Sequence, residues 1–228
     1  MSDDRLRLVV FDVDGTLVDS QADILGAMTL AFEAEGLAPP DRASVLSHVG
    51  LSLEVMMPLL APQAGVTTHR RLVDGYKDAY VALRAAQGAA QSSPLYPGAR
   101  DALDRLRARD EVLLGVATGK SRRGLDKLIE GHGLEGYFIT QQVSDFHPSK
   151  PHPAMLETAL SETGIDAPDA VMIGDTSFDM EMAASAGITG IGVGWGYHPA
   201  ERLASATHLI ADFTALVPLL EEIWKEET

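Results

Sequence analysis

The fold of this chain is indicated first by residues 6–16, which read LRLVVFDVDGT. The first six of these residues are almost all apolar and are β-branched at their centre, which is typical of a buried strand. The next five contain two aspartates and a glycine, so a polar turn follows at once. The stretch therefore predicts a buried strand that delivers Asp12 and Asp14 to its carboxyl end.

The chain beyond residue 91 alternates between strand and helix patterns. Such alternation implies a parallel sheet with right-handed crossovers and helices on both faces. Joined to the first strand, it predicts an α/β, Rossmann-like core of three layers. The expected strands are 112–117, 137–140, 170–173, 189–193 and 208–210, and the expected helices are near 98–108, 121–132, 153–163 and 178–186, with one more at the end.

The intervening residues show helical spacing and no convincing strand. Apolar residues recur at helical intervals from Ile24 to Phe32, and further helical stretches lie near 41–48, 52–61 and 67–87. We therefore expect an inserted all-helical cap domain. The predicted division assigns residues 1–17 and 91–228 to the core and residues 18–90 to the cap.

Composition excludes several classes of function. The 228 residues include no cysteine, so disulfides, thiolate nucleophiles and cysteine-ligated metal sites are excluded. The net charge of −15 disfavours nucleic acid and anionic membranes as main partners. No uncharged apolar run approaches the roughly 20 residues of a membrane span, and the acidic start MSDDRLRLVV does not resemble a signal peptide. We expect a soluble, cytoplasmic protein, with monomer and homodimer both open.

Polar side chains follow the predicted strands at one edge of the sheet. Ligands of open parallel sheets bind outside the carboxyl ends of the strands, so these clusters should converge. The clusters are Asp12 and Asp14, then Thr118-Gly119-Lys120, then Ser149-Lys150-Pro151, and finally Gly174-Asp175-Thr176 with Asp179.

This set of residues suits phosphoryl transfer with magnesium. Mg²⁺ prefers hard oxygen ligands, which Asp12, Asp175 and a turn carbonyl near Asp14 can supply. An ionised carboxylate is also a competent nucleophile toward phosphorus. Lys150 would offset charge on the phosphoryl oxygens, while Thr118 and nearby backbone N–H groups would hold another oxygen.

Asp14 is suited to a different task from Asp12. Positions two apart in an extended chain face the same side, so Asp14 lies near Asp12 without replacing it. Asp14 is expected to protonate the leaving oxygen and then to activate water. Gly15 allows the backbone to approach the phosphate. For Asp179 two roles stay open, namely binding a metal-coordinated water and orienting Lys150.

The segments FDVDGTLVDS, VATGK, SKPHP and GDTSFDM resemble, in order, the four motifs of haloacid dehalogenase superfamily hydrolases. The helical insert resembles the caps of the phosphoglycolate phosphatase-like members, and the resemblance covers essentially the whole chain. It implies a nucleophile at Asp12, an acid/base at Asp14, and catalytic roles for Thr118 and Lys150. It further implies Mg²⁺ on Asp12, the carbonyl of Asp14 and the acidic motif of Asp175 and Asp179, and we expect Gly15, Thr16, Gly119 and Lys120 at the substrate.

The resemblance leaves three kinds of function to weigh. Asp14 argues against dehalogenases and phosphonatases, which lack this aspartate. We therefore expect Mg²⁺-dependent hydrolysis of a small phosphorylated metabolite, with phosphoglycolate as the family-level guess. A phosphomutase of the β-phosphoglucomutase type is the alternative, although LVDSQAD at 17–23 is closer to the phosphatase pattern. A non-catalytic binding protein on the same fold is the third.

Three further features of the sequence bear on the site. Mg²⁺ together with Lys120, Lys150, Arg122 and Arg123 is expected to attract an anion locally despite the net negative charge, and Arg122 and Arg123 fit a solvated helix face equally well. The helix start at 50–52 is a candidate substrate contact from the cap. The segment 195–197 either packs beneath the cap or forms a surface loop, and the sequence does not separate the two.

Overall fold

Six parallel strands form the central sheet of the protein, whose computed structural model describes residues 5–226. Their order across the sheet is β3-β2-β1-β4-β5-β6, so the first strand lies in the middle. All five of its residues are buried, as expected for a parallel strand covered on both faces. The strands are β1 (Arg7–Phe11), β2 (Val112–Thr118), β3 (Thr140–Val143), β4 (Ala170–Gly174), β5 (Thr189–Val193) and β6 (His208–Ile210).

Helices cover both faces of this sheet and complete the predicted three layers. On one face α6 (Ala99–Arg107), α7 (Arg122–His132) and α10 (Leu216–Glu226) pack against Val9 and Phe11. On the other face α8 (Ala154–Thr163) and α9 (Ser177–Ser185) pack against Leu8 and Val10. The alternation of β1 side chains between two apolar clusters fixes the strand at the centre of the core.

A helical unit with its own apolar core lies between β1 and α6. Its buried cluster includes Phe32, Met57 and Leu72. Among the helices of the described chain, none combines the length and apolarity that crossing a bilayer requires. The helices of this cap are α1 (Gln21–Ala34), α2 (Arg42–Leu46), α3 (Leu53–Leu60), α4 (Val66–Gln87) and the short α5 (Ala89–Ser92).

Two connecting segments join the cap to the core and run side by side. Val18 pairs with Leu95 in an antiparallel bridge. On either side of this bridge, Asp19 N donates to the Pro94 carbonyl and Tyr96 N donates to the Leu17 carbonyl, both at 2.9 Å. The cap is therefore attached at one paired point. The predicted boundaries at 17/18 and 90/91 remain a prediction.

The prediction for the third strand was wrong by three residues. A strand was expected at 137–140, whereas β3 spans Thr140–Val143. The aromatic pair at 137–138 produced the strand pattern, but Phe138 is instead buried against the main core. The polar Gln142 suits an edge strand because its amide donates to Thr140 Oγ1 at 2.7 Å and to Glu162 at 2.8 Å.

Candidate active site

A buried lysine lies between two carboxylates at the carboxyl edge of the sheet. Lys150 Nζ donates to Asp12 Oδ1 at 2.7 Å and to Asp179 Oδ1 at 2.6 Å. Each of the three residues is at most 1% exposed. Asp12 follows β1 directly, and its N–H continues the sheet by donating to the Ile173 carbonyl at 2.9 Å. The sheet thus fixes the backbone of the expected nucleophile.

Asp179 contacts Lys150 from the first turn of α9. Its other oxygen, Oδ2, accepts from Thr176 N at 3.0 Å, and Asp179 N donates to Thr176 Oγ1 at 3.3 Å, which together make a capping box. A Cβ on Gly174 would lie 2.4 Å from Asp179 Cβ, so the preceding glycine makes room for this arrangement. Of the two roles left open for Asp179, the geometry matches the orientation of Lys150.

Asp175 is held by two elements that are distant in sequence. Thr16 Oγ1 donates to its Oδ1 at 3.0 Å, and Tyr197 N donates to its Oδ2 at 2.8 Å. Two glycines permit this fit. Gly15 has φ +86°, and a Cβ there would lie 2.3 Å from Asp175 Oδ2, while a Cβ on Gly196 would lie 2.0 Å from Asp175 Cβ.

The segment 195–197 therefore belongs to the site and is not a free surface loop. Trp195 Nε1 donates to the Thr16 carbonyl at 3.1 Å. The Tyr197 hydroxyl accepts from Ser20 N at 3.2 Å, and Ser20 Oγ in turn donates to Asp14 Oδ1. A signal for this segment was present in the sequence, since it directly follows β5 at the same edge of the sheet.

Asp14 is paired with Lys120, which also reaches the cap. Lys120 Nζ lies 2.7 Å from Asp14 Oδ1 and donates to the Tyr80 hydroxyl at 2.9 Å. Thr118 is buried at the end of β2, and its Oγ1 accepts from Lys120 N at 3.2 Å. The structure thus places Lys120 beside the expected acid/base, in contact with α4 of the cap.

The carboxylates of this site are short of positive charge. Burial raises the pKa of Asp12 to about 7, an effect that Lys150 opposes and Asp179 reinforces. Burial, together with Asp12 and Asp179, holds the pKa of Asp175 well above its usual value. Burial alone would lower the pKa of Lys150, but Asp12 and Asp179 outweigh it and raise that pKa. The ammonium of Lys150 therefore offsets only part of the negative charge of Asp12, Asp175 and Asp179, so the cluster would be stabilised by a further cation.

The same residues fit a divalent cation. One carboxylate oxygen from each of Asp12, Asp175 and Asp179 lies within 4.8 Å of the other two. Asp12 Oδ2 is buried without any hydrogen-bond partner in the described structure. Both oxygens of Asp175 and of Asp179 accept hydrogen bonds, but Asp179 is also paired with Lys150, whereas the donors to Asp175 are the neutral Thr16 hydroxyl and Tyr197 N–H. Mg²⁺ binds hard oxygen ligands, and a bound ion would give the buried Asp12 Oδ2 the partner that it lacks. Asp12 and Asp175 are the side chains best placed to hold it.

A cavity of about 550 Å³ separates the cap from these residues. Asp12, Asp14 and Thr118 line it on the core side, and α3, α4 and the segment before α3 line it on the cap side. The cap touches the core closely here, because Ser52 N donates to Ser149 Oγ at 2.8 Å. Gly50 and Leu51 line the cavity, so the helix start proposed from the sequence does face the site.

The fold and these residues together define the class of the protein. Residues 9–193 match the family of haloacid dehalogenase-like hydrolases, and the chain belongs to this family. The motif resemblance is thereby confirmed, and the chain is a hydrolase.

Particular relatives sharpen the likeness. The chain is 35% identical to the probable phosphatase IndB of Dickeya dadantii (strain 3937), over 87% of this chain and 86% of that protein. It is 32% identical to the phosphoglycolate phosphatase of Chromobacterium violaceum, over 88% and 90%. The solved β-phosphoglucomutase of Clostridium difficile superposes with a TM-score of 0.82 at 17% identity, over 97% and 98%. This last likeness concerns the fold alone.

Proposed function

We propose that the protein is a Mg²⁺-dependent phosphatase that hydrolyses a small phosphomonoester through an aspartyl-phosphate on Asp12. The observation that carries this proposal is the buried ion-pair cluster of Asp12, Lys150 and Asp179 beside Asp175. The family and the phosphatase names of its relatives support the reaction class. A phosphoglycolate-like substrate is the corresponding proposal for the ester.

Asp12 acts as the nucleophile in this proposal. Its ionised carboxylate forms a bond to phosphorus as the ester P–O bond breaks, and the electron pair leaves with the alkoxide. Lys150 favours the ionised form, because it donates to Oδ1 at 2.7 Å.

Asp14 supplies and then recovers one proton. Its Oδ1 is held by Lys120 and Ser20, while no described residue contacts its Oδ2 by a hydrogen bond. A proton on Oδ2 would pass to the leaving alkoxide. The resulting carboxylate then takes a proton from water as that water attacks the aspartyl-phosphate, which releases phosphate and restores Asp12.

The remaining contacts position the phosphoryl group. Thr118 and Gly119 line the cavity together with Asp12, and Lys150, which contacts Asp12, offsets charge on the phosphoryl oxygens. Asp12, Asp175 and the carbonyl of Asp14 would hold Mg²⁺. When bound, the ion neutralises charge that develops on the phosphoryl oxygens. Asp179 acts on this chemistry through Lys150.

The test is phosphate release from a panel of phosphorylated metabolites, with Mg²⁺ and then with EDTA. Magnesium-dependent release that peaks on one compound supports the proposal and names the substrate. Conversion of a sugar phosphate to its isomer without phosphate release would favour the mutase. Binding of Mg²⁺ and phosphate without any turnover would favour a non-catalytic protein.

A variant tests the covalent step separately. Asp12→Asn should remove turnover and leave the fold intact, since asparagine keeps the shape of the side chain. After an acid quench, radiolabelled phosphate should remain on the wild-type chain and be absent from Asp12→Asn. Residual activity above about a hundredth of wild type would contradict covalent catalysis at this residue.

A further inference from the structure

Lys120 joins the core to the cap beside the expected acid/base. Its backbone belongs to the core, because its N–H donates to Thr118 Oγ1 at 3.2 Å and its carbonyl accepts from Ser144 N at 3.1 Å. Its ammonium lies between core and cap, with Nζ 2.7 Å from Asp14 Oδ1 and 2.9 Å from the Tyr80 hydroxyl. The side chain is only 7% exposed, so a core carboxylate and a cap hydroxyl share one buried ammonium.

Tyr80 is held in this position by its own helix. Tyr76, Tyr80 and Arg84 follow one another at intervals of four residues, so they lie on one face of α4. The rings of Tyr76 and Tyr80 are 5.8 Å apart, and the Arg84 guanidinium lies 5.5 Å from the centre of the Tyr80 ring. Arg84 Nη1 donates to the Gly124 carbonyl at 3.3 Å, which attaches the same helix face to α7 of the core. The Tyr80 hydroxyl therefore meets Lys120 while α4 lies against the core.

Asp14 receives both of its fixed contacts on the same oxygen. Its Oδ1 lies 2.7 Å from Lys120 Nζ and accepts from Ser20 Oγ, whereas no described residue donates a hydrogen bond to its Oδ2. In the proposed reaction Oδ2 is the oxygen that gives its proton to the leaving alkoxide. Once that proton has left, Asp14 carries a full negative charge beside the ammonium of Lys120. This ion pair is therefore stronger in the transition state than in the ground state, which is the condition for an interaction to raise the rate.

A second acceptor fixes the direction of the ammonium. An ammonium has three N–H groups on a flexible four-carbon stem, so one carboxylate oxygen does not determine its position. The Tyr80 hydroxyl accepts one of these N–H groups while another is directed at Asp14. Without the hydroxyl, the ammonium of Lys120 would be free to turn into the cavity that this residue lines.

We propose that Tyr80 is a positioning residue for the acid/base step, and that its hydroxyl holds Lys120 against Asp14 when the cap lies on the core. This inference rests on the proposed phosphatase function and assigns a residue of the cap to one step of it. Tyr80 acts on Asp14 only through Lys120. Closure of the cap is thereby linked to the proton transfer that releases the leaving group.

The experiment compares two esters that differ in their need for a proton. An aliphatic alkoxide leaves poorly unless it is protonated, whereas 4-nitrophenolate leaves readily as an anion because its ring delocalises the charge. The ratio kcat/KM covers the steps up to departure of the leaving group, so it isolates the step in which Asp14 donates.

Tyr80→Phe should affect the two esters differently. General acid catalysis contributes roughly 100- to 10,000-fold, so a displaced Asp14 should cost about 10-fold in kcat/KM on the preferred aliphatic ester of the metabolite panel. On 4-nitrophenyl phosphate, kcat/KM should fall less than about twofold, because departure of this group needs no proton. An equal loss on both esters, or no loss on the aliphatic one, would overturn the inference.

Two comparisons separate this positioning role from a structural one. Tyr76→Phe removes the hydroxyl of the neighbouring tyrosine, which lines the same cavity and makes no described hydrogen bond to Lys120. It should keep the wild-type kcat/KM on both esters, and a loss confined to the aliphatic ester in this control as well would overturn the assignment to Tyr80. In a Lys120→Met background, Tyr80→Phe should have no further effect, because the residue through which it acts is gone. A persisting effect there would also overturn the inference.

Lysine labelling keeps the inference separate from the proposed function. Acetylation with acetic anhydride, followed by mass spectrometry, would measure the reactivity of Lys120 in wild type and in Tyr80→Phe, with the 43%-exposed Lys77 as internal standard. Lys120 should react at least about threefold faster in Tyr80→Phe, because local opening then breaks one contact fewer. Turnover of neither ester together with this increase would reject the phosphatase and retain Tyr80 as the residue that positions Lys120. Unchanged reactivity of Lys120 would overturn the inference whether or not the esters are hydrolysed.

Discussion

Replacing Gly119 by alanine would test how closely the cap must approach the core. A Cβ at this position would lie 2.7 Å from the Gly50 carbonyl oxygen and 3.0 Å from that of Leu51, and both atoms are backbone. Ordinary van der Waals contact begins at 3.4 Å, so the cap segment would have to withdraw by about 0.7 Å. The φ of Gly119 lies outside the left-handed region, so alanine adds no backbone strain of its own.

The withdrawal would act on the cavity rather than on the charged cluster. Gly50 and Leu51 line the cavity, and the neighbouring hydrogen bond from Ser52 N to Ser149 Oγ would lengthen from 2.8 Å. A misplacement on the order of 1 Å in a catalytic geometry can cost about 100-fold in rate. We therefore expect kcat/KM to fall roughly 10- to 100-fold, with a stability cost of about 1–3 kcal/mol from overpacking.

Steady-state kinetics on the preferred ester, together with urea unfolding, would measure both quantities. Gly65→Ala is the matched control, because a Cβ at this cap position meets no atom within 4 Å. It should retain wild-type activity. If Gly119→Ala kept at least half of the wild-type kcat/KM while remaining folded, close approach of the cap at this point would not be required, and the reasoning would fail.

Three further predictions concern the charged cluster. Asp179→Asn should lower kcat at least 10-fold, because the variant loses its ion pair with Lys150. The Mg²⁺ concentration for half-maximal activity should change less than about threefold. A much larger Mg²⁺ requirement would instead make Asp179 a metal ligand. Without metal, the free energy of unfolding should fall as pH rises from about 4 to 7, because burial raises the pKa of Asp12 from 3.8 to about 7 and the folded state retains a proton that the unfolded chain has lost. In urea titrations with EDTA, Asp12→Asn should reduce the pH dependence of the free energy of unfolding by up to about 1.4 kcal/mol per pH unit. An equal pH dependence in wild type and Asp12→Asn would contradict the raised pKa of Asp12. Tyr197→Phe should shift the pH profile of kcat, because it loses the hydroxyl that holds Ser20; an unchanged profile would remove this positioning role.

The parts of the site that follow strands were predictable from the sequence. Asp12, Thr118 and Asp175 each follow a short buried apolar run, and parallel topology brings such positions to one edge. Lys150 was predicted from its position between the third strand and the next helix, and the SKPHP motif supported that prediction. The predictions that depended on local pattern and topology were therefore the ones that matched the observed geometry.

The parts that depend on packing between distant segments could not be predicted. The predicted bounds of β3 were wrong because its aromatic neighbour Phe138 packs against the main core, which a local pattern does not reveal. The role of Tyr197 depends on its backbone N–H meeting Asp175 across 22 residues of chain.

The net charge of −15 does not decide whether the site accepts an anion, because the cavity has its own balance. Five cationic and five acidic residues line it, and two pairs of them form ion pairs, Lys77 with Glu54 at 3.4 Å and Lys120 with Asp14 at 2.7 Å. A bound divalent ion would therefore make the cavity positive while the rest of the surface stays negative. Arg122, expected from the sequence to attract the substrate, donates instead to Gln141 at 2.8 Å. Besides Lys120, the cationic residues of the lining are Lys77 and Arg84 of α4 and Arg123 and Lys127 of α7, so positive charge lies on both the cap wall and the core wall of the cavity.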